Sequence, residues 1–257
     1  MLTVGQCAEF EEKGFVRVRG AFSREQAAAM EERVWAWLER RHALSRSDPA
    51  TWSLCQVTGM QGLKRQAVFE AIGSEATCEA LDALLGAGCW KRPHDWGGFL
   101  VNFPSGGPWS VPSRVWHTDF GFHGPLDRPF GALVFSFLSD VPPCAGGTVA
   151  VEGSHRVIRH FLAEHPRASQ SKMKNVRLAL VRSHPWLAAL TSEETDTART
   201  DRLMRDGAVV AGVPVRVAEL CGEAGDLVIG HNWLLHAGAP NCGSRPRMMR
   251  VQRVQLS

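Results

Sequence analysis

The chain has 257 residues, 44% of them hydrophobic, and a formal net charge of +3 at pH 7. That charge is small and scattered, which speaks against nucleic acid as a partner, and no run of about 18 apolar residues offers a membrane span. Seven cysteines, an odd number without a C-x-x-C pair, argue against a disulfide framework or a structural zinc site. They favour a reducing compartment, and the N-terminal sequence lacks a signal-peptide core, so a cytoplasmic protein is expected.

The first predicted element is a short helix in "TVGQCAEFEEKG". Thr3 and Gln6 have capping-box spacing, and Gly14 can end it. The alternation in "FVRVRG" predicts a strand over Phe15–Arg19. A long helix follows in "FSREQAAAMEERVWAWLERRHAL", with Ser23 as N-cap and Gln26 completing a second box. Residues 43–65 have no clear period and read as loop. "SEATCEALDALLGAG" is a further helix closed by glycine.

The centre of the chain changes character. "GGFLVNFP", "GALVFSFLSDV", "GGTVAVEG", "AGVPVRVAEL", "GDLVIGH" and "RMMRVQRVQL" are short β-type runs set off by Gly, Pro and Asp. "SQSKMKNVRLALVRSHPWLAALTSEE" interrupts them as a helical or irregular insert. Helices first and then at least six strands predict a mainly β fold, a double sheet or barrel with flanking helices, over a βαβ fold. With no repeat or linker, a single domain over 1–257 is expected. It divides into a flank over 1–95 and a β core over about 96–257, with an insert over about 160–210.

"SRVWHTDFGFHG" holds the only His-x-Asp of the chain, His117 and Asp119. On a strand, residues i and i+2 share a face, so imidazole and carboxylate would converge. An ordinary ion pair would look the same. A distant histidine would complete two histidines and one carboxylate, a facial set that leaves iron positions open for a co-substrate and O₂. "GDLVIGHNWLLHAGAPNCGSRPRMMR" supplies two candidates, His231 and His236. They stand five apart, so a regular strand would turn them to opposite faces. His155 in "EGSHR" reads as structural, with Ser154 placed to cap a following helix.

Three ordered segments carry a resemblance. They are "EFEEKGFVRVRGAFSREQ", then "WHTDF" with "CAGGTVAVEGSHR", then "GDLVIGHNWLLHAGAPNCGSRPR". Together they resemble the phytanoyl-CoA dioxygenase family of Fe(II)/2-oxoglutarate-dependent oxygenases. Glu152 departs from that pattern by standing where proline is usual, and residues 43–95 and 165–210 match none of it. The resemblance implies a double-stranded β-helix, or jelly-roll, core of the cupin kind. It implies His117, Asp119 and His236 as iron ligands and Arg247, eleven residues past His236, as the partner of the distal carboxylate of 2-oxoglutarate. A guanidinium fork suits a carboxylate, and Arg245 is the competitor, two residues away. Asn102 and Thr148 are implied as further contacts of the co-substrate, with a strand-end amide bonding its own backbone as the plain reading of Asn102.

The implied activity is hydroxylation of an unactivated C–H bond in a small molecule, with Fe(II), 2-oxoglutarate and O₂ as cofactors and succinate and CO₂ released. A secondary metabolite, an amino-acid-like or an acyl compound would serve as substrate. Asp119 disfavours halogenation, because related halogenases carry a small residue there. Two other readings stay open at this point: a non-catalytic jelly-roll ligand-binding protein, and a metal enzyme that does not use 2-oxoglutarate. The sequence sets neither the substrate nor the oligomeric state.

Overall fold

The computed structural model describes residues 1–193 and 197–257. Helix α1 (Val4–Lys13) begins where Thr3 and Gln6 cap one another, and it stops at Gly14, whose φ of 85° suits glycine alone. Helix α2 (Arg24–His42) repeats the box with Ser23 and Gln26. Helix α3 (Glu75–Leu85) is capped by Ser74 and ends at Gly86. These starts and stops follow the local sequence because a helix end must satisfy its orphan N–H and C=O groups nearby.

Strands β1 (Phe15–Val18), β2 (Gln56–Val57), β3 (Gly98–Asn102), β4 (Gly131–Phe137), β8 (Leu227–His231) and β10 (Arg247–Gln255) form one sheet, in the order β1-β8-β4-β10-β3-β2. Strands β5 (Thr148–Glu152), β6 (Ala208–Val210), β7 (Val213–Leu220) and β9 (His236–Gly238) form a second, in the order β6-β7-β5-β9. The pairings are antiparallel. This is the double-sheet fold with helical flanks that the sequence predicts. Three strands escape a sequence reading because β2, β6 and β9 hold two or three residues each, too few to show a period.

Alternation along the strands divides the core. On β4, Ala132 and Val134 join Met30, Val34 and Leu38 of α2 on the outer face, while Leu133, Phe135 and Phe137 turn inward. The inner layer also takes Met249 from β10, Val228 from β8, and Ala150 and Leu220 from the smaller sheet. It therefore lies between the two sheets.

The insert finds its place here. Helices α4 (Ser154–Glu164), α5 (Met173–Arg182) and α6 (Pro185–Ala189) pack over the outer face of the smaller sheet, and α7 (Thr197–Asp201) follows them. Val157, Phe161, Val176, Leu180 and Leu190 meet Val149, Val151, Val215 and Val217 there. The predicted insert runs through 194–196, which lie outside the described residues. Ser154 does not cap α4 as expected. Gly153, with φ 76°, takes the cap position, and the Ser154 hydroxyl accepts from the Leu235 N–H at 3.0 Å. The serine thus ties the insert to the segment that precedes His236.

Arg199 makes a second tie. Its buried guanidinium donates to the carbonyls of Ala189 at 3.0 Å, Leu190 at 2.9 Å and Pro112 at 3.2 Å, and to Val111. It joins the insert to the loop that leads into His117. Replacing Arg199 with Met strips several buried carbonyls of a charged donor. Each such bond is worth about 1.5–3 kcal/mol, so a loss of at least about 3 kcal/mol in stability is expected. Urea unfolding checks it, and an unchanged midpoint would refute it.

Candidate metal centre

His117 and Asp119 lie in the loop between β3 and β4, and His236 opens β9. The strand considered around His117 does not form. Instead His117 makes an isolated antiparallel bridge with His236, each backbone N–H donating to the other's carbonyl at 2.9 Å. The imidazole rings lie 4.3 Å apart between centroids. His117 Nε2 stands 3.3 Å from Asp119 Oδ1. One donor atom from each of His117, Asp119 and His236 falls within 4.8 Å of the others, the only such group of three among the described residues.

The ring nitrogens are assigned by their partners. His117 Nδ1 lies 2.7 Å from the Val115 carbonyl and His236 Nδ1 lies 3.0 Å from the Leu234 carbonyl. A carbonyl only accepts, so each Nδ1 carries a proton. The Nε2 of neutral His236 keeps a free lone pair, while the Nε2 of His117 faces the Asp119 carboxylate and donates to it when the ring is protonated. The Nδ1–carbonyl contact is the outer hydrogen bond that orients histidines for metal binding. Val115 reaches it through a left-handed backbone, φ 58°, unusual for a β-branched residue.

The electrostatics suit a cation. Burial pushes the His236 imidazole down to about 4, so it is neutral and ready to ligate. The hydrogen bond to Asp119 raises His117 against the effect of burial. Burial works against ionisation of Asp119, but the His117 hydrogen bond and the charges around it, Arg253 among them, together hold its carboxyl below the usual value. Arg253 also donates to the Asp119 carbonyl at 3.3 Å, which fixes the loop against β10. On the other side Phe135 sets its ring edge-on to His236, with centroids 5.5 Å apart.

Arg247 lies on the inner face of β10, in register with Asn102 of β3. Its side chain is buried, and burial alone pushes the guanidinium down to about 10. Nη1 donates to the Leu100 carbonyl at 3.2 Å, while Nε is buried without a partner. No carboxylate is paired with it among the described residues. Arg245, the competitor, falls outside the strand, exposed, beside Asp140 on the outer surface.

Asn102 is buried, and its amide donates to the Ala239 carbonyl at 3.1 Å and not to its own backbone. Thr148 shares a face of β5 with Ala150, which is in register with His236. Thr148, His236, Asn102 and Arg247 thus belong to facing strands of the two sheets. Asn241 organises this end, its amide donating to the carbonyls of Asn102 and Arg245 at 2.9 Å each. No local pattern marks Asn241, Val115 or Leu234, because each acts through the backbone or across distant segments.

His231 and His155 take no part. Their rings meet at a tilt of 39°, 4.7 Å between centroids, beside α1. Trp233 N–H donates to His231 Nδ1 at 3.0 Å. Burial pushes His155 down to about 4 and His231 well below its ordinary value, so both are neutral in the fold. The unfolded chain takes up these protons first, near pH 6.5. Stability is therefore full above about 6.5 and falls as the pH drops toward 4. His155 alone accounts for about 2 kcal/mol at pH 5. Urea midpoints of the metal-free protein at pH 7.5 and pH 5 check this, and equal midpoints would refute it.

Two antiparallel sheets with a two-histidine, one-carboxylate cluster between them define a class, the non-haem iron oxygenases built on a jelly roll. The chain belongs to the phytanoyl-CoA dioxygenase family: the family model described as Phytanoyl-CoA dioxygenase (PhyH) matches residues 10–249. The cofactors of that family are Fe(II), 2-oxoglutarate and O₂. Among solved structures, the non-heme alpha ketoglutarate dependent carbocyclase SnoK from nogalamycin biosynthesis has 18% identity and a TM-score of 0.54, over 100% of this chain and 84% of its own. The epimerase SnoN from the same biosynthesis has 15% identity and a TM-score of 0.54, over 98% and 81%. AviO1 from Streptomyces viridochromogenes Tue57 has 17% identity and a TM-score of 0.52, over 99% and 96%. SnoN has also been solved with Fe3+, alpha ketoglutarate and nogalamycin RO. At these identities the likeness is one of fold. No curated protein matches the chain. Among the described residues no helix is long and apolar enough to cross a membrane.

Proposed function

We propose that the chain is a single-domain oxygenase that hydroxylates an unactivated C–H bond of a small molecule. His117, Asp119 and His236 hold Fe(II), and Arg247, with Asn102 and Thr148 beside it, holds 2-oxoglutarate. The donor set fits the metal: the Nε2 atoms of His117 and His236 and an ionised Asp119 carboxylate, with a cation taking the place of any proton between His117 and Asp119. Bound there, iron with 2-oxoglutarate and O₂ supplies the oxidising power, and succinate and CO₂ leave.

The observation that carries the reading is Arg247. A guanidinium buried without a carboxylate, with Nε unpartnered, is costly unless an anion meets it. A dicarboxylic co-substrate supplies that anion. A structural metal site or a zinc hydrolase has no use for such a residue. Asp119 fills the third protein position, which favours transfer of oxygen to the substrate over transfer of a halide. Two structural neighbours are a carbocyclase and an epimerase, so ring closure and epimerisation are the competing outcomes at the same carbon. The test is an anaerobic load with Fe(II) and 2-oxoglutarate, followed by O₂ and candidate metabolites. Succinate release with a gain of one oxygen in the product supports the reading. Succinate without oxygen gain shifts it to the competing outcomes, and no 2-oxoglutarate binding ends it.

A further inference from the structure

The seven cysteines are free thiols, and two of them meet across paired backbone. The Cys242 N–H donates to the Cys144 carbonyl at 2.8 Å, next to an antiparallel bridge between Ala145 and Asn241. No other two cysteines share a backbone hydrogen bond among the described residues. That bond holds the two Cα atoms about 5.5 Å apart, as across a hydrogen-bonded pair. Cys144 is left-handed, φ 63°, its own N–H donates to the Glu219 carboxylate, and its thiol is near enough to Cys242 to be raised by it. Disulfides span Cα separations of about 4.4–6.8 Å, so this pair is within reach. Both thiols are half-exposed, open to a small oxidant.

We propose that Cys144 and Cys242 are a modification site, closing to a reversible disulfide under peroxide. One thiolate attacks a peroxide oxygen, the O–O bond breaks, and a sulfenic acid and one water result. The second sulfur then attacks the sulfenic sulfur, the S–O bond breaks, and the oxygen leaves as a second water. Two thiols lose two electrons and the peroxide gains them. A dithiol reductant reverses the change.

The position gives the bond a consequence. Asn241, fully buried, adjoins Cys242 and holds the Asn102 carbonyl. Gly146, with φ 78°, lies so close that a Cβ there would sit 2.7 Å from Asn241 Cβ and 2.9 Å from Asn102 Nδ2. The turns around 144 and 242 thus form the rim next to Asn102, opposite Arg247. A covalent link closes a loop of about 100 residues and stiffens that rim. Oxidation therefore raises thermal stability, and it slows exchange of 2-oxoglutarate; the second effect rests on the reading of Arg247 given above.

Reactivity should be slow at neutral pH. Burial, then the charges of Glu219 and Cys242, raise the Cys144 thiol, so less thiolate is present. The bond should form faster at pH 9 than at pH 7.

The experiment treats the metal-free protein with hydrogen peroxide and maps its peptides. The expected result is a Cys144–Cys242 cross-link, a loss of two hydrogens in intact mass, a Tm higher by several degrees, and full reversal by dithiothreitol. Cys144→Ser and Cys242→Ser should each abolish all of these, while Cys55→Ser, an exposed thiol elsewhere, should abolish none. These readouts need no 2-oxoglutarate, so they stand apart from the reading of the active site. A second arm follows release of 2-oxoglutarate from the Fe(II) protein before and after oxidation, with slower release expected. Peroxide products at other cysteines, or sulfinic acid at Cys144 without a cross-link, overturn the proposal. A cross-link that leaves 2-oxoglutarate release unchanged overturns its connection to the site.

Discussion

His236→Ala abolishes Fe(II) binding and, with it, all iron-dependent release of succinate from 2-oxoglutarate. The expected loss of metal affinity exceeds the roughly 10–100-fold that follows from losing an outer hydrogen-bond partner of a ligand. The reason is geometric as well as chemical. His236 is buried, its ring is set by the Leu234 carbonyl and the edge of Phe135, and it is held neutral by its surroundings. No other side chain among the described residues completes the group of three. Equilibrium dialysis with Fe(II) under anaerobic conditions measures the loss. Near-UV circular dichroism should stay close to wild type, since the His117–His236 bridge is made by backbone atoms. His231→Ala is the matched control and should keep the metal. Wild-type affinity in His236→Ala would remove this residue from the site.

Arg247→Ala weakens 2-oxoglutarate by about 2–5 kcal/mol, or roughly 30- to 5,000-fold in Kd, and leaves Fe(II) in place. The figure is large because the guanidinium is buried and, among the described residues, its one hydrogen bond goes to the Leu100 carbonyl. Arg247→Lys should rescue little, since a point charge cannot match both oxygens of a carboxylate. Arg245→Ala, an exposed change, should move Kd by less than about twofold. Calorimetric titration of the Fe(II) protein with 2-oxoglutarate reads all three. A larger effect at Arg245 than at Arg247 would reverse the assignment.

The helices were legible because their ends are written locally. Thr3 with Gln6 and Ser23 with Gln26 form in space the boxes their spacing predicts. The longer strands were legible because they alternate between two buried faces, as β4 does with Val134 outward and Phe135 inward. The meeting of His117, Asp119 and His236 was visible as residue types, yet it comes about by another route. An isolated bridge between distant segments converges the two histidines, where a strand had been considered. Spacing could not separate Arg245 from Arg247; in the fold the strand starts at Arg247, which is buried, and leaves Arg245 exposed. Arg199 and the Val115 carbonyl were not legible at all, and Asn241 was visible only as part of the segment that carries the resemblance. Their work lies in reaching carbonyls or ring nitrogens that the fold brings near, and no short pattern encodes a partner 88 or 139 residues away.

The bridge between His117 and His236 also orders events in time. It joins segments 119 residues apart in sequence, and contacts of such separation form late, once much of the chain's entropy has been lost. Until the segments around 117 and 236 have met, the two imidazoles have no reason to be neighbours. A cation offered to the unfolded chain meets scattered single donors, which hold it weakly. The protein must therefore fold first and take up iron afterwards. Refolding rates should be the same with and without Fe(II), and the metal should act only by slowing unfolding.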